Sequence, residues 1–599
     1  MLRRSRRGNC TTMPLIRTSQ RESPRVRLPW AMLLYALVSF ALGYLLVGWE
    51  DPAFAADGAA MADPLAVAIN VVPVVLAALL LLVLTRRPLL SLGFALLLLH
   101  VLYAASAMKF ELLDTPIVPT DFVLLGHLGD GGNLLLRYVP RSAVASLMLA
   151  LACIVALACW ERPWQRLRGV RRLFALTLVS ALAASLLAGL RPWPQVYAAD
   201  AEEYQQWSPA ISTLHSGLLT TLLRFSWDTA FVLPEPDRAL ATQFLRAHAS
   251  AVAPTAGGDA EAEGRPDIIV LQSESFFDPA RLQGIESDQV LPEFRRVAAM
   301  SRHGDLWVPT YGGGTIRTEF EVLTGIAMRY FPEVQYPYFR LTATALPSLP
   351  SVLAAHGYRT VAMHPHERDF WNRAAAFTNL GFDEFDADEQ FGDAPRSGWY
   401  ISDEALVDHM LQKLDDAKGP LFLFAISMEN HGPYEGFPNA DAQRIAAQPV
   451  PAGAEGAGAE RLRGYLYHLN GADHSLGRLA DALRKRARRT LLLFYGDHLP
   501  ALPLLYQKAG FDDGAKGPEQ PVPWLLFDSA HEQMPASAEA TSSFYLPALL
   551  LAQAGIDDHG YFNALESARR DDHPANAWTP VDDPALRAVM QLRQRGEIR

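Results

Sequence analysis

Residues 267–275 read DIIVLQSES, an apolar run that ends in polar side chains. Such a run is typical of a strand that is buried on both faces of a parallel sheet. The same form recurs in RTVAMHPH at 359–366, LFLFAISMENHGPY at 421–434 and TLLLFYGDHLP at 490–500. Helical stretches lie between these runs, and strands that alternate with helices predict an open α/β sheet over 266–570.

The four predicted strands all end in residue types that bind metals. Ligands of open α/β sheets bind beyond the carboxyl ends of the strands, so we expect these side chains to gather in one place. One Glu or His after a strand usually has a structural role, whereas four such strand ends favour a divalent metal such as Mn²⁺ or Zn²⁺. The side chains concerned are Glu274, His364, His366, Asn430, His431, Asp497 and His498.

A glycine-rich stretch, YGGGTIRTEFEVLTG at 311–325, places one hydroxyl in front of a predicted helix. The glycines allow unusual backbone angles and close approach of a ligand. Thr315 follows them at the helix N-terminus, where free N–H groups favour anions. Such a hydroxyl beside a metal can attack phosphorus and form a covalent intermediate. The alternative, that Thr315 is only an N-cap, stays open, and Thr310 and Thr318 are rival hydroxyls.

The first third of the chain contains five apolar stretches that are each long enough to cross a bilayer, which takes about 20 residues. Arginine-rich flanks mark the cytoplasmic side of these stretches, and the loop after the first is acidic. We therefore predict a multi-pass inner-membrane protein whose catalytic domain is periplasmic, with a first span that is not a cleaved signal peptide. The spans are Trp30–Trp49, Leu65–Leu84, Leu89–Met108, Ser142–Trp160 and Leu173–Leu190.

These patterns divide the chain into parts. A basic cytoplasmic N-terminus is followed by a five-span helical bundle, an extracytoplasmic linker with a helical part, the α/β domain, and a polar tail to which no role is assigned. The net charge of −11 argues against a nucleic-acid partner. The three cysteines all precede residue 200, so the α/β domain holds no disulfide. The predicted boundaries are 1–29, 30–191, 192–265, 266–570 and 571–599.

The order of spans, linker, LQSES, GGGTIRTEF, FWNR, ENHGPY and YGDH resembles the lipoteichoic acid synthase family. These are membrane phosphoglycerol transferases with a sulfatase-like domain of the alkaline phosphatase superfamily, and the transferases that decorate periplasmic glucans are similar. The resemblance covers roughly residues 30–560. It implies that one Mn²⁺, or else Mg²⁺ or Zn²⁺, is bound by Glu274, Thr315, Asp497 and His498.

The resemblance also implies roles in substrate binding. Thr315 matches the nucleophile that carries the phosphoglycerol group. Trp371, Arg373 and His431 match residues that hold the glycerophosphate, and His364 lies where the family often has a histidine near the head group. Arginine suits this role because its planar guanidinium can bind two phosphate oxygens. His431 matches a group that could protonate a departing oxygen.

The chain departs from related patterns at two places, and these departures bear on its substrate and on sulfatase activity. Around HPHERDFWNR the family usually has more Asn and Asp, whereas this chain has His366, Glu367 and Arg368, so the head group and acceptor stay open. True sulfatases need a Cys or Ser that is converted to formylglycine in a Cys-x-Pro-x-Arg type motif. The sequence TIRTE lacks the proline, and the α/β domain lacks cysteine, which disfavours sulfatase activity.

The resemblance predicts transfer of glycerophosphate from phosphatidylglycerol, through a threonine intermediate, to a hydroxyl of an extracytoplasmic glycan or polyglycerolphosphate. The Arg- and Ala-rich composition suggests a GC-rich bacterium, for which a periplasmic glycan is the more plausible acceptor. Three alternatives stay open. The donor could be phosphatidylethanolamine, the group could pass to water in a phosphodiesterase, or the protein could be a non-catalytic membrane assembly protein.

Overall fold

The computed structural model of the protein describes most of the chain, and the following statements concern that part alone. The predicted basic N-terminus and the part of the predicted linker at 251–264 lie almost entirely outside it. The described residues are 28–55, 64–113, 116–119, 121–124, 141–165, 167–198, 209–228, 235–249, 264–287, 290–331, 334–451, 454–530, 537–558, 560–571 and 583–598.

The N-terminal third is a bundle of apolar helices whose side chains are largely exposed to the surroundings, as expected for contact with lipid. Four of the helices are long and apolar enough to cross a membrane, and they coincide with four predicted spans. The predicted span Ser142–Trp160 is also helical, but its described apolar part, Val144–Trp160, is shorter than the other four. The count of five spans stays a prediction. The helices are Leu28–Glu50, Pro52–Ala55, Pro64–Thr85, Pro88–Leu113, Asp121–Leu124, Arg141–Trp160, Val170–Leu187 and Trp193–Val196.

The α/β domain is built on a nine-stranded mixed sheet. Its strand order is β10-β2-β9-β8-β1-β7-β3-β4, with β11 paired to β2. A separate hairpin consists of β5 and β6. The strands are β1 Asp267–Ser273, β2 Arg302–Trp307, β3 Arg359–Met363, β4 Glu384–Asp386, β5 Arg396–Ser397, β6 Tyr400–Ile401, β7 Leu421–Ile426, β8 Thr490–Gly496, β9 Val522–Asp528, β10 Ser537–Ala538 and β11 Thr541–Ser542.

The four strands predicted from the sequence are adjacent in the centre of this sheet, in the order β8-β1-β7-β3, and all run parallel. Every residue of β1, β7 and β8 is buried, because helices cover both faces, and this burial explains the continuous apolar runs. The sequence analysis did not identify β2 and β9. These two strands are antiparallel to each other, and β9 is antiparallel to β8.

Helices and short 3₁₀ turns connect the strands. The predicted helical stretches at 346–358, 402–417 and 465–486 all contain helices. The α-helices are Pro292–Ala298, Ile316–Thr324, Pro337–Arg340, Leu349–Ala355, Arg373–Leu380, Asp388–Phe391, Asp403–Asp416, Ala442–Ala446, Gly456–Arg484, Pro503–Ala509, Leu546–Ala554 and Tyr561–Asp571. The 3₁₀ turns are Pro279–Arg281, Met328–Tyr330, Phe370–Asn372, Gly517–Glu519 and Ser543–Tyr545.

The segments on either side of the α/β domain contain more structure than the sequence patterns indicate. The linker contains the helices Pro209–Ser216, Leu218–Asp228 and Arg238–Ala247. The segment assigned as a polar tail contains the helix Pro584–Gln594, which packs against Arg238–Ala247 and buries its apolar face in the core of the domain. An amphipathic pattern of one short helix among polar residues was too weak a signal to indicate this packing.

Candidate active site

The carboxyl ends of β1 and β8 bring two acidic residues together. The two strands pair in parallel register, with Ser273 opposite Gly496 at their ends. The next residues, Glu274 and Asp497, therefore leave the sheet side by side, and His498 follows immediately. Gly496 is required here because a Cβ at this position would lie 1.9 Å from the carbonyl oxygen of Phe276. The glycine of the GDH sequence thus allows the Phe276 backbone to pass close to the strand end that carries Asp497 and His498.

Four predicted metal-site residues meet at this point. The Thr315 hydroxyl lies 3.3 Å from Oε2 of Glu274 and 3.4 Å from Nε2 of His498. Nε2 of His498 is 3.6 Å from Oε1 of Glu274 and 3.3 Å from Oδ2 of Asp497. One possible ligand atom from each of Glu274, Asp497 and His498 lies within 4.8 Å of the other two. The structure therefore brings together the set that the sequence analysis selected.

The glycine loop positions Thr315 for this cluster. Gly312 and Gly314 adopt φ angles of 67° and 79°, which favour glycine, and a Cβ at Gly314 would lie 2.8 Å from Oγ1 of Thr310. The helix Ile316–Thr324 begins directly afterwards, but the Thr315 side chain makes no capping hydrogen bond to it. Its hydroxyl faces the carboxylate and the imidazole instead, which argues against a role restricted to N-capping.

The two rival hydroxyls have structural partners. The Thr310 hydroxyl donates to the carbonyl oxygen of Gly313 within the glycine loop. The Thr318 hydroxyl donates to the carbonyl oxygen of Asp497 at 2.8 Å and so fastens the helix to the end of β8. Thr315 therefore has the hydroxyl that faces the site.

The electrostatics of the cluster call for a positive charge. Burial raises the pKa of the Asp497 carboxyl well above its usual range, and the nearby Glu274 charge raises it further. Burial also opposes ionisation of Glu274, but the interaction with His498 and the hydrogen bond from the Ser275 hydroxyl help to outweigh this effect, so the pKa of Glu274 lies below its ordinary value. Burial lowers the pKa of His498 and favours the neutral imidazole that can bind a metal.

The donor atoms fit a divalent cation. Oδ1 of Asp497 accepts hydrogen bonds from the backbone N–H groups of Ser275 and His498 at 2.7 and 2.8 Å, whereas Oδ2 is buried and has no hydrogen-bond partner. Nδ1 of His498 lies 2.9 Å from the carbonyl oxygen of Leu499, which orients the ring and leaves Nε2 toward the cluster. Two carboxylates, one imidazole and a hydroxyl suit Mn²⁺, Mg²⁺ or Zn²⁺.

His431 lies in the loop after β7, and its orientation is fixed from one side. Nδ1 is 2.7 Å from the carbonyl oxygen of Gly432 and 3.1 Å from the hydroxyl of Tyr400, which itself donates to that carbonyl at 3.0 Å. A carbonyl can only accept, so Nδ1 carries the proton and Nε2 is left for other partners. Strand β7 pairs in parallel with β1, so the loop that carries His431 leaves the sheet at the same edge as Glu274.

The predicted head-group residues lie on a second side of the site. His364 and His366 follow β3, and their rings stack at 5.7 Å between centroids. Burial and the charge of Arg373 lower the pKa of His364 well below its ordinary value and that of His366 to about 3. Both imidazoles are therefore neutral, and Nδ1 of His366 is buried without a hydrogen-bond partner. Trp371 is half-buried and packs against Tyr336, with the ring centroids 4.7 Å apart and the ring planes tilted by 37°.

Arg373 is buried in an ion pair that the sequence analysis did not anticipate. Its Nε donates to Oε2 of Glu319 at 3.1 Å, and its Nη2 donates to Oε1 at 2.5 Å. The hydroxyl of Tyr338 donates to the same carboxylate at 3.1 Å. Only Nη1 of Arg373 is left without a partner, and it is buried. Arg373 therefore offers a ligand one whole nitrogen, Nη1, while Nε and Nη2 are engaged by Glu319.

Three further residues of the site were missed or left without a role. Glu319 lies one helical turn after Thr315, and this spacing was the available signal for its position. Tyr400 lies on a two-residue strand and had no sequence signal. Asn430 was identified only as a polar residue after a strand, yet its side chain is fully buried and neither its amide nitrogen nor its oxygen has a hydrogen-bond partner. Buried polar atoms without partners are rare and indicate a site for a ligand.

Comparison with known proteins extends these observations. A family model described as Sulfatase matches residues 266–556. A Rhizobium meliloti (strain 1021) protein named for cyclic beta-1,2-glucan modification is 30% identical over 490 residues, which cover 77% of this chain and 72% of that protein. Lipoteichoic acid synthase 1 of Bacillus subtilis (strain 168) is 24% identical over 156 residues, which cover 25% of this chain and 23% of the synthase.

Among solved structures, an integral membrane lipooligosaccharide phosphoethanolamine transferase from Neisseria meningitidis has a TM-score of 0.53 to this chain at 12% sequence identity. The match covers 90% of this chain and 98% of that protein. It therefore includes the apolar N-terminal helices as well as the α/β domain. At this identity the likeness shows the fold alone, which is a helical membrane domain joined to a sulfatase-like domain.

Proposed function

This chain belongs to the lipoteichoic acid synthase-like family of the alkaline phosphatase superfamily, and from this premise we propose that it is a membrane phosphoglycerol transferase. The observation that carries the proposal is the convergence of Glu274, Thr315, Asp497 and His498, with the hydroxyl of Thr315 facing the other three. The proposed donor is phosphatidylglycerol in the outer leaflet of the inner membrane. The proposed acceptor is a hydroxyl of a periplasmic glycan or of polyglycerolphosphate.

The first step forms a bond between Oγ1 of Thr315 and the phosphorus of the donor and breaks the bond from phosphorus to the diacylglycerol oxygen. Oε2 of Glu274 lies 3.3 Å from the hydroxyl and can accept its proton as the attack begins. A divalent cation held by Glu274, Thr315, Asp497 and His498, proposed to be Mn²⁺, supplies a Lewis acid that lowers the pKa of the hydroxyl and stabilises phosphoryl charge. The product is a glycerophospho-threonine.

The second step transfers the group to the acceptor. The acceptor hydroxyl loses its proton, its oxygen attacks phosphorus, and Thr315 leaves as a restored hydroxyl. Nε2 of His431 is proposed to give a proton to the departing diacylglycerol oxygen in the first step and to take one from the acceptor in the second. The fixed Nδ1–H supports this role, because it stays on the Gly432 carbonyl in both protonation states.

The charges near the head-group residues favour glycerol over ethanolamine. The positive charge of Arg373 acts on His366 and helps to lower the pKa of its imidazole. The carboxylate beside Arg373 is Glu319, which is already paired. An ammonium group would be repelled in these surroundings, whereas the two hydroxyls of glycerol can bond to the free Nδ1 of His366 and to Nη1 of Arg373. Both of these atoms are buried and without partners.

Phosphoethanolamine transfer is the second candidate, and a specific observation favours it. The departure at His366, Glu367 and Arg368 from the family's usual sequence alters the predicted head-group side, and this is the observation that favours a different head group. Hydrolysis of the same donors by water, as in a phosphodiesterase, is tested by the same assay.

The deciding experiment supplies the full-length protein in vesicles with phosphatidylglycerol or phosphatidylethanolamine, each labelled in its head group, with and without a periplasmic glucan. Phosphoglycerol transfer predicts labelled glucan and free diacylglycerol from phosphatidylglycerol alone. Labelled glucan from phosphatidylethanolamine alone would replace the proposal by the second candidate. Released glycerophosphate that does not depend on the glucan would identify a phosphodiesterase. Absence of any product under all conditions would favour a non-catalytic assembly protein.

A further inference from the structure

Two short helices, Pro209–Ser216 and Leu218–Asp228, follow the membrane spans and are fastened to them. Asp51, which directly follows the first membrane helix, accepts a hydrogen bond from the backbone N–H of Leu218 at 2.8 Å. It also accepts one from the hydroxyl of Tyr103, in the third long helix, at 2.8 Å. All three residues are buried. The start of the second short helix is therefore tied to two membrane helices.

Asn70, inside the second long helix, holds the same junction. Its amide nitrogen donates to the carbonyl oxygen of Ser216 at 2.8 Å, and its amide oxygen accepts from the backbone N–H of Thr220 at 2.9 Å. Between these two partners lies Gly217 with a φ of 82°, where a Cβ would be 2.7 Å from Nδ2 of Asn70. Polar side chains within membrane helices are rare and usually have a function. The chain leaves the membrane domain through a fixed junction.

The next described helix already belongs to the catalytic domain. In Arg238–Ala247, Ala241 and Phe244 are buried in the hydrophobic core that contains the central sheet. Glu235, just before this helix, pairs with Arg595 at 2.9 Å. Only positions 229–234 separate the helix that is fastened to the membrane domain from this segment. Even a fully extended chain from 228 to 235 spans at most about 25 Å.

A second contact joins the membrane domain to the catalytic domain. Val118, in the loop after the third long helix, is 1% exposed and belongs to the same hydrophobic cluster as the catalytic sheet. Within the described part of the chain, it is the one member of that cluster that precedes Ala241. The three other clusters of the membrane domain are separate from it. Val118 therefore inserts from the membrane domain into the core of the catalytic domain.

The loop that carries Val118 is itself pinned to the membrane domain. Nζ of Lys109, near the end of the third long helix, donates to Oδ2 of Asp121 at 2.6 Å and to the carbonyl oxygen of Pro116 at 3.0 Å. Oδ2 of Asp121 also accepts from the backbone N–H of Val118 at 2.7 Å. The hydroxyl of Ser106 accepts a hydrogen bond, at 3.2 Å, from the backbone N–H of the residue that precedes Val118. These hydrogen bonds fix the position of the loop that contains Val118.

We propose that Val118 seats the catalytic domain on the membrane domain and, with the short connection at 229–234, holds the active site at a set height above the bilayer. The ligand class that this arrangement serves is a phosphodiester whose leaving group stays anchored in the membrane. A donor of that kind can present its head group only within a narrow layer at the surface. The donor part of the inference rests on the proposed function, whereas the seat itself does not.

The seat is tested by hydrogen exchange of the full-length protein in lipid nanodiscs. Val118→Asp puts a charge into the shared core and is expected to speed exchange of the amides of Val118 and Asp121 and of the helix Arg238–Ala247 by about tenfold or more. Val118→Ala is expected to give a smaller change in the same amides. Ile117→Asp is the matched control, since Ile117 is the half-exposed neighbour outside the cluster. Equal exchange in Val118→Asp and Ile117→Asp would overturn the seat.

Activity on two donors tests whether the connection at 229–234 sets the height of the active site above the bilayer. The donors are phosphatidylglycerol in vesicles and a water-soluble chromogenic diester of glycerophosphate. Val118→Asp with ten Gly/Ser residues inserted at 229–234 is expected to turn over the vesicle lipid about fourfold more slowly than Val118→Asp alone, because effective concentration falls with tether length. Turnover of the soluble diester stays unchanged.

The same ten residues inserted at 251–264, after the helix that already belongs to the catalytic domain, provide the matched control and are expected to change neither rate. Equal effects of the two insertions on vesicle lipid would overturn the height-setting role. Failure of the parent protein to use either donor would refute the proposed function, and the exchange comparison would still decide whether Val118 forms a seat.

Discussion

The two sides of the candidate site differ in what holds their side chains. On the cation side, Glu274, Thr315 and His498 lie within 3.3 to 3.6 Å of one another. On the head-group side, Arg373 is held by Glu319, which faces it from the helix after Thr315. Nη1 of Arg373 and Nδ1 of His366 have no hydrogen-bond partner within the described part of the protein.

This difference separates the residues proposed to carry out the reaction from the residues proposed to select the substrate. The cation side follows from two parallel strands that end in register and from a glycine turn, so the fold itself fixes it. The head-group side depends on individual side chains from several loops, and a change of one residue can alter what it binds without disturbing the sheet. Substitutions on the first side are therefore expected to abolish the reaction, and those on the second to change substrate use.

The largest effect is expected for Thr315→Ala. Loss of the nucleophile removes the covalent step, and transfer is expected to fall by about a thousandfold or more. The fold is expected to persist, because the Thr315 side chain does not cap its helix. Head-group transfer in vesicles measures the activity. Thr324→Ala, in the same helix, is the control and should keep most of the activity; comparable loss in both variants would contradict the role of Thr315.

Asp497→Asn tests whether the cation side binds a metal. The amide keeps the shape but removes the charge of the carboxylate whose Oδ2 lacks a partner, and Mn²⁺ affinity is expected to fall by about a hundredfold. Calorimetric titration of the metal-free protein measures this affinity. Asp403→Asn is the matched control, because Asp403 is also a buried carboxyl but lies outside the cluster of Glu274, Asp497 and His498. Unchanged Mn²⁺ binding in Asp497→Asn would refute the metal site.

Arg373→Lys tests the head-group side. Lysine keeps the charge but cannot bond Glu319 with two parallel donors and still offer a third, so KM for the lipid donor is expected to rise about tenfold with a smaller change in kcat. Steady-state kinetics on vesicles of graded donor content give both constants. Arg359→Lys, at the start of β3, where the exposed arginine side chain pairs with Glu384, is expected to leave KM unchanged. A fall in kcat alone would place Arg373 on the catalytic side instead.

The smallest effect is expected for the folding stability that depends on the helix Ile316–Thr324, which directly follows Thr315 and contains Glu319. Burial raises the pKa of Glu321, in the same helix as Glu319, from 4.5 to about 7. The protonated carboxyl therefore contributes stability that is complete below about pH 4.5 and is lost as the pH rises through about 7. Between pH 5 and 8 the parent should lose about 3 kcal/mol relative to Glu321→Gln, whose amide can bond both Met328 and Ser543.

Thermal unfolding of the detergent-solubilised protein at several pH values measures the difference. The unfolding midpoint of the parent should fall toward that of Glu321→Gln, or below it, as the pH rises from 5 to 8. Parallel pH profiles for the two proteins would show that Glu321 is ionised throughout this range in the folded state.

The sequence allowed the central sheet and the cation side to be predicted because both depend on local signals. Four buried strands appear as apolar runs, and Glu274 and Asp497 directly follow two of them. The antiparallel strand β9 was missed although all of its residues are buried. A short apolar run does not by itself distinguish a strand from part of a buried helix.

The remaining features depend on contacts between distant parts of the chain. The pairing of Arg373 with Glu319 joins residues 54 positions apart, and Val118 packs with residues more than a hundred positions away. The helix Pro584–Gln594 is polar on one face, so its composition indicated a tail until packing against Arg238–Ala247 was known. No local pattern encodes such contacts.

Mass spectrometry of the protein tests the central claim most directly. Full-length protein with Mn²⁺ is incubated with phosphatidylglycerol without an acceptor, quenched with acid and digested, and the peptide containing Thr315 is analysed. We expect one added glycerophosphate on Thr315, and we expect it to disappear when glucan is supplied before quenching. An unmodified Thr315 in protein that nevertheless transfers the head group, or an adduct on another residue, would contradict it.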